Sequence, residues 1–184
     1  MNKKISKLII LLVSVVIVAV YNTYFTDNVK SEIVTPPDDF YLVTKVVDGD
    51  TIKVEMDGVI ETLRLIGLDT PETVDPRKVV QCFALEASNK AKEILTGKFV
   101  RLEADSTQGE RDKYQRLLRY VYLEDGTFYN QLMIAEGYAH EYTYDSNPYK
   151  YQIEFIEAEN LARESNKGLW SDNTCGGDTL QAAN

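Results

Sequence analysis

Histidine occurs once in these 184 residues and cysteine twice. The lone histidine, His140, excludes a zinc centre, because no His/Cys cluster can fill a tetrahedral shell. Any imidazole chemistry would rest on that one ring. Basic charge is also short: 20 Lys and Arg stand against 29 Asp and Glu, a formal net charge of −9. Without residues 1–30, which carry four Lys and one Asp, the balance is 16 against 28, or −12. Broad electrostatic attraction to a polyanion is therefore excluded, and phosphate recognition would have to rest on a local site. Long apolar runs are limited to one of 14 residues, Leu8 to Tyr21, against about 20 for a membrane span. There is no internal repeat.

What is present begins with that run. Lys3, Lys4 and Lys7 precede "LIILLVSVVIVAVY", the pattern of an export signal. Its length suits a signal-peptide core, whereas "VAVYN" is a poor small-x-small cleavage site, so residues 1–25 read as a signal peptide or a retained anchor. No cysteine follows, which excludes a lipid-modified one. The expected location is secreted or tethered at the outer surface, with the N-terminal segment as the part that meets membrane. Export gives Cys82 and Cys175 an oxidising setting and makes them a disulfide candidate. Closing a loop of 93 positions contributes on the order of 4–5 kcal/mol in the chain-entropy account.

Residues 26–38, "TDNVKSEIVTPPD", are polar with a Pro-Pro pair and read as a linker. A domain is expected over 39–174, with 175–184 as a tail. "FYLVTKVV", "TIKVEM" and "VIETLRLIGL" have β-branched, alternating character, and Asp57-Gly58 marks a hairpin between the last two. "FALEASNKAKEIL" places Phe83, Ala87, Ala91, Ile94 and Leu95 at helical spacing before Gly97. "KFVRLEA" and "RLLRYVYLE" are two further strands. A short helix, "FYNQLMIAEG", and a longer one over about 149–166 with Ile153, Ile156 and Leu161 close the domain. The order β-β-β-α-β-β-α-α predicts an α+β fold: a five-stranded Greek-key barrel of the OB type with three helices.

Chemistry concentrates in three stretches. In "RLIGLDTPET" an arginine interrupts an apolar strand, where a buried charge is costly unless paired or used. Alternation puts Arg64 on the face of Ile66 and Leu68; Asp69 ends the strand and Glu72 projects past Thr70-Pro71. "DGDT" (48–51) supplies Asp50 at another strand entrance, and "RDKYQR" (111–116) supplies Lys113, Tyr114 and Arg116. Singly, each reads as a turn, a helix start or a charged loop. Together, two carboxylates and a turn carbonyl suit a hard cation such as Ca²⁺. Two guanidinium forks suit phosphate oxygens, and a further carboxylate suits proton abstraction from water.

"DGDT", "LRLIGLDTPE" and "DKYQR" in this order, with a late "GLW", resemble the staphylococcal nuclease (thermonuclease) family over about residues 40–172. The resemblance implies an OB barrel with three helices that cleaves DNA and RNA with Ca²⁺ and leaves 3′-phosphate products. It implies calcium ligands at Asp50, Asp69 and the Thr70 carbonyl, and phosphate-binding arginines at Arg64 and Arg116. Glu72 is implied to position or deprotonate the attacking water. Lys113 and Tyr114 would contact a terminal phosphate, and Tyr142 and Tyr144 would line the nucleotide pocket, stacking on bases. The implied partners are DNA and RNA, single strands preferred, with no protein partner and a monomeric state. Gln115 and Ala84 stand where the family commonly has glycine. The alternative is a catalytically weak or inactive OB module that binds nucleic acid or a protein.

Overall fold

The computed structural model describes residues 13–21, 38–73 and 80–180. The chain divides into two units, Met1–Thr35 and Pro36–Asn184. In the first, residues 13–21 are helical and exposed (α1). Among the described residues no helix is long and apolar enough to cross a membrane. The rest of the apolar run, and the linker apart from Asp38, lie outside the described residues.

The second unit is built on a closed barrel. β1 (Phe40–Val46), β2 (Thr51–Met56) and β3 (Val59–Leu65) form an antiparallel meander, with the short β4 (Leu68–Asp69) just after it. Asp57 and Gly58 both take positive φ, 51° and 78°, as a tight two-residue hairpin turn requires. After α2 (Ala84–Leu95), β5 (Phe99–Glu103) pairs with β1, and β6 (Leu117–Leu123) closes the barrel by running antiparallel to β5 and parallel to β3. The resulting order, β1-β2-β3-β6-β5, is the OB arrangement expected from the sequence. Val43, Ile52, Val54, Leu63, Leu65, Val100 and Val121 are buried inside it.

α3 (Tyr129–Ala135) and α4 (Gln152–Glu164) complete the core, which also takes in Met133, Ile134 and Phe155. The three helices of the domain fall where the periodicity placed them, and α1 is a fourth. The face that α4 buries is different from expectation. Ile153 is 78% exposed, and Ile156 and Leu161 also face solvent. Phe155, Ala158, Glu159 and Ala162 are the buried residues. The two alanines let the helix approach closely. Glu159 is held by Arg163 (3.1 Å), His140 (3.5 Å) and the Glu141 N–H (3.2 Å). Burial pushes the Glu159 carboxyl up, but these partners outweigh it and leave it below the usual range.

A second small sheet, β4 with β7 (His140–Glu141), sets Asp69 opposite His140. Cys82 and Cys175 are joined in a disulfide, Cα atoms 5.9 Å apart.

Candidate active site

The strand expected to run through Leu68 ends at Leu65. The chain breaks at Gly67, whose φ is 80° and where a Cβ would come within 2.7 Å of the Phe155 and Tyr149 rings. Arg64 therefore does not share a continuous strand face with Ile66 and Leu68. Its guanidinium folds back over the turn, Nη1 donating to the carbonyls of Leu68 (2.8 Å) and Leu65 (3.3 Å). The same group pairs with Asp50 (Nη1–Oδ2, 3.1 Å) and Asp69 (Nη2–Oδ1, 2.9 Å). One part-buried arginine thus gathers two carboxylates 19 positions apart in the chain.

The "DGDT" turn is the other half of this arrangement. Asp48 Oδ1 accepts the Asp50 N–H (3.1 Å), which curls the turn. Gly49 has no side chain because Thr70 occupies the space: a Cβ would lie 2.4 Å from the Thr70 methyl. Asp50 is buried, and its Oδ2 accepts both the N–H (3.1 Å) and hydroxyl (3.2 Å) of Thr70. Its Oδ1 accepts the Thr51 hydroxyl at 2.8 Å. Burial, then the charge of Asp50, raises the Asp48 carboxyl to about 7. Loss of hydration on its inner side also raises the Asp69 carboxyl, with Arg64 pulling the other way. Asp50 raises both Asp48 and Asp69 while the one arginine, Arg64, lowers both, so the negative charge here is only partly offset.

Arg116 approaches from β6. Asp112 Oδ2 accepts from its Nε and Nη2, both at 2.7 Å, while Asp112 Oδ1 accepts the N–H groups of Tyr114 and Arg116 (2.9 Å each). Arg116 Nη1 also donates to the Thr51 hydroxyl at 3.4 Å. Thr51 and Arg64 are cross-strand partners, so Thr51 sits between the two arginines. Gln115 adopts φ 66° here, the left-handed geometry that favours glycine. The Gln115 side chain is exposed, and its backbone carbonyl accepts from Arg111 Nη1 at 2.8 Å.

Arg64, Asp69, Lys113, Tyr114, Arg116, Tyr142 and Tyr144 line one open groove of about 550 Å³. Tyr114 is 68% exposed, with Lys113 and Arg116 5.1 and 5.3 Å from its ring centre. Tyr142 and Tyr144 are exposed with ring centres 6.4 Å apart, a paired aromatic platform rather than core. Gln108 and Thr107 on one wall bond Pro148 and Asn147 on the other, at 3.0–3.1 Å. Asp50 and Thr70 lie buried behind Arg64. Glu72 is half-buried past Pro71 and is not among the groove-lining residues. His140 lies between Glu159, the Trp170 ring (4.8 Å) and Thr179 (3.3 Å), which is a structural setting.

Sequence reasoning did not single out Asp112, Thr51 or Gln81 as contributors. Asp112 had only its place inside the "RDKYQR" stretch, where i,i+4 spacing to Arg116 carries no signal outside a helix. Thr51 and Gln81 had none beyond proximity to the motifs.

A closed OB barrel that holds two arginines and a carboxylate cluster at one groove defines a phosphate-handling OB-fold protein. The family model described as staphylococcal nuclease homologue matches residues 62–172, and the chain belongs to that family. It is 45% identical over 132 residues to the thermonuclease of Staphylococcus hyicus, covering 72% of this chain and 76% of that protein. It is 38% identical over 169 residues to the thermonuclease of Staphylococcus intermedius, covering 91% and 98%. An SPbeta prophage-derived endonuclease of Bacillus subtilis is 40% identical over 130 residues, covering 70% of this chain and 43% of that protein.

Proposed function

We propose that the protein is an exported, calcium-dependent nuclease that hydrolyses phosphodiester bonds of DNA and RNA with little sequence preference and leaves 3′-phosphate ends. The observation that carries this reading is the convergence of Arg64 and Arg116 on one groove beside Asp69, each guanidinium held by a carboxylate. Similarity to two thermonucleases and an endonuclease supports it.

In this reading the two guanidinium groups bind the scissile phosphate and stabilise the charge that grows on its oxygens. Glu72 takes the proton of the attacking water. Lys113 and Tyr114 bind a terminal phosphate, while Tyr142 and Tyr144 stack on bases, a contact indifferent to sequence and best suited to single strands.

The donor set fits a hard cation. Asp50 and Asp69 offer carboxylate oxygens and Thr70 a carbonyl, and the incompletely offset negative charge is what a divalent ion would neutralise. Among the described residues no group of three His, Cys, Asp or Glu side chains is gathered tightly enough to hold an ion. Two carboxylates and a carbonyl would hold it, with water and phosphate completing the shell. Bound there, Ca²⁺ would polarise a phosphoryl oxygen and orient water. The lysine-flanked apolar run and the disulfide support export.

The test is cleavage of single-stranded DNA by the oxidised chain with millimolar Ca²⁺, with EDTA, and by Glu72→Gln. Cleavage that requires both Ca²⁺ and Glu72 is the expected result, with the variant slower by at least about 100-fold. A folded protein that binds but does not cut is instead the inactive OB module.

A further inference from the structure

Glu72 stands on a stretch, residues 70–73, without helix or strand of its own. A carboxylate that must address one water molecule has to be held within about 0.5 Å, and the support for that must come from elsewhere. It comes from Gln81. The Gln81 side-chain Oε1 accepts the Glu72 N–H at 2.6 Å, and the Gln81 N–H donates to the Glu72 carbonyl at 3.2 Å. Both backbone polar groups of Glu72 thus engage one residue nine positions later.

Gln81 is fixed from two sides. Its carbonyl accepts the N–H of Ala84, the first residue of α2, at 3.1 Å. Its neighbour Cys82 is bonded to the buried Cys175. The segment that carries Cys175 is itself anchored. Gly177 donates to the Leu169 carbonyl at 2.9 Å, and a Cβ on Gly177 would lie 2.6 Å from the Trp170 ring.

We infer that Gln81 is a positioning residue for Glu72, and that the Cys82–Cys175 bridge holds Gln81 where it can do so. This rests on the reading of Glu72 as the group that acts on water. Gln81 uses its amide oxygen as an acceptor, so a carboxylate can replace it while a thioether of equal length cannot.

The experiment uses the full chain and reads two quantities: steady-state cleavage of single-stranded DNA in Ca²⁺, and hydrogen exchange at the Glu72 amide. In Gln81→Met, kcat falls roughly 10–100-fold with KM unchanged, the range usual when a group supporting a catalytic residue is lost, and Glu72 exchange accelerates. Gln81→Glu restores both. Unchanged exchange in Gln81→Met, or a loss expressed in KM rather than kcat, overturns the assignment. Dithiothreitol, which supplies two electrons and two protons and leaves two thiols, produces the same pair of changes while circular dichroism still reports the barrel. Unaltered Glu72 exchange in the reduced protein removes the bridge from the inference. Full activity of Glu72→Gln beside slow Gln81→Met would instead retire the role of Glu72 itself.

Discussion

Arg64 concentrates the physics of the site in one side chain. It is only 15% exposed, yet it meets two carboxylates and two carbonyl oxygens, the dense pairing that a desolvated charge needs. A lysine offers a point charge and three donors from one atom, and cannot span Asp50 and Asp69 while keeping a planar fork toward phosphate. Arg64→Lys should therefore lower kcat by about 100-fold or more, with a smaller effect on the melting temperature. Steady-state kinetics and a thermal melt on the same preparation separate the two effects, and turnover within about threefold of wild type would make Arg64 only structural. At this scale much was legible, since charged residues inside apolar stretches draw attention to themselves. Asp50, Asp69, Arg64 and Arg116 could be named from the motifs. What could not be read was their partners. Asp112 looked like one more charge in a polar loop, and Gln81 like any glutamine, because a hydrogen bond across nine residues leaves no trace in sequence pattern.

Elements were legible where they were long. The Asp57-Gly58 hairpin and the alternation of β1 to β3 are signals that tertiary packing had no reason to override. The β4–β7 pair was not, because two-residue strands have no periodicity, and the break at Gly67 appears only once Phe155 and Tyr149 are in place. In α4 the large aliphatics pointed to the wrong face, because the close approach is made by Ala158 and Ala162. Links between elements give two predictions. Asp105, past the end of β5, accepts the Tyr120 hydroxyl (2.6 Å), the Lys150 N–H (2.8 Å) and the Thr107 N–H (2.8 Å). Burial pushes its carboxyl up, but these donors outweigh it and leave it below the usual range. Because the folded value lies below the unfolded one of about 3.9, the stabilisation is present above pH ~4 and is lost as pH falls through the folded value. Asp105→Asn should lower the unfolding free energy measured with urea at pH 7 by about 1–3 kcal/mol, and narrow the gap between pH 7 and pH 3. An unchanged gap would mean that other carboxylates control acid unfolding. Reduction of Cys82–Cys175 should remove up to about 4–5 kcal/mol, a fall on the order of 10–20 °C at roughly 2–4 °C per kcal/mol. Differential scanning calorimetry with and without reductant measures it.

For the molecule as a whole, the acidic balance and the local basic groove act against each other. Residues 31–184 carry 28 acidic and 16 basic side chains, so the net charge opposes long polyanions while Arg64, Arg111, Lys113 and Arg116 make the groove locally basic. Three phosphate contacts, from Arg64, Lys113 and Arg116, predict a slope of about −2 in log affinity against log salt for single strands. Screening of the acidic surface acts in the opposite direction and flattens it further. Fluorescence anisotropy of labelled oligonucleotide across a salt series tests this, and a slope steeper than about −4 would point to a wider basic footprint.

The disulfide also imposes an order in time. Cys82 lies on the residue leading into α2, and its partner is made 93 residues later. At ribosomal speeds of about 5–20 residues per second, Cys82 waits on the order of 5–20 s before Cys175 exists. Within that interval α2, β5 and β6 are synthesised and the barrel acquires its last strands, while the bridge behind Gln81 cannot yet close. A chain stalled or truncated ahead of Cys175 would carry every motif residue and lack the bridge beside Gln81, so completion of synthesis is built into the bracing of the Glu72 segment.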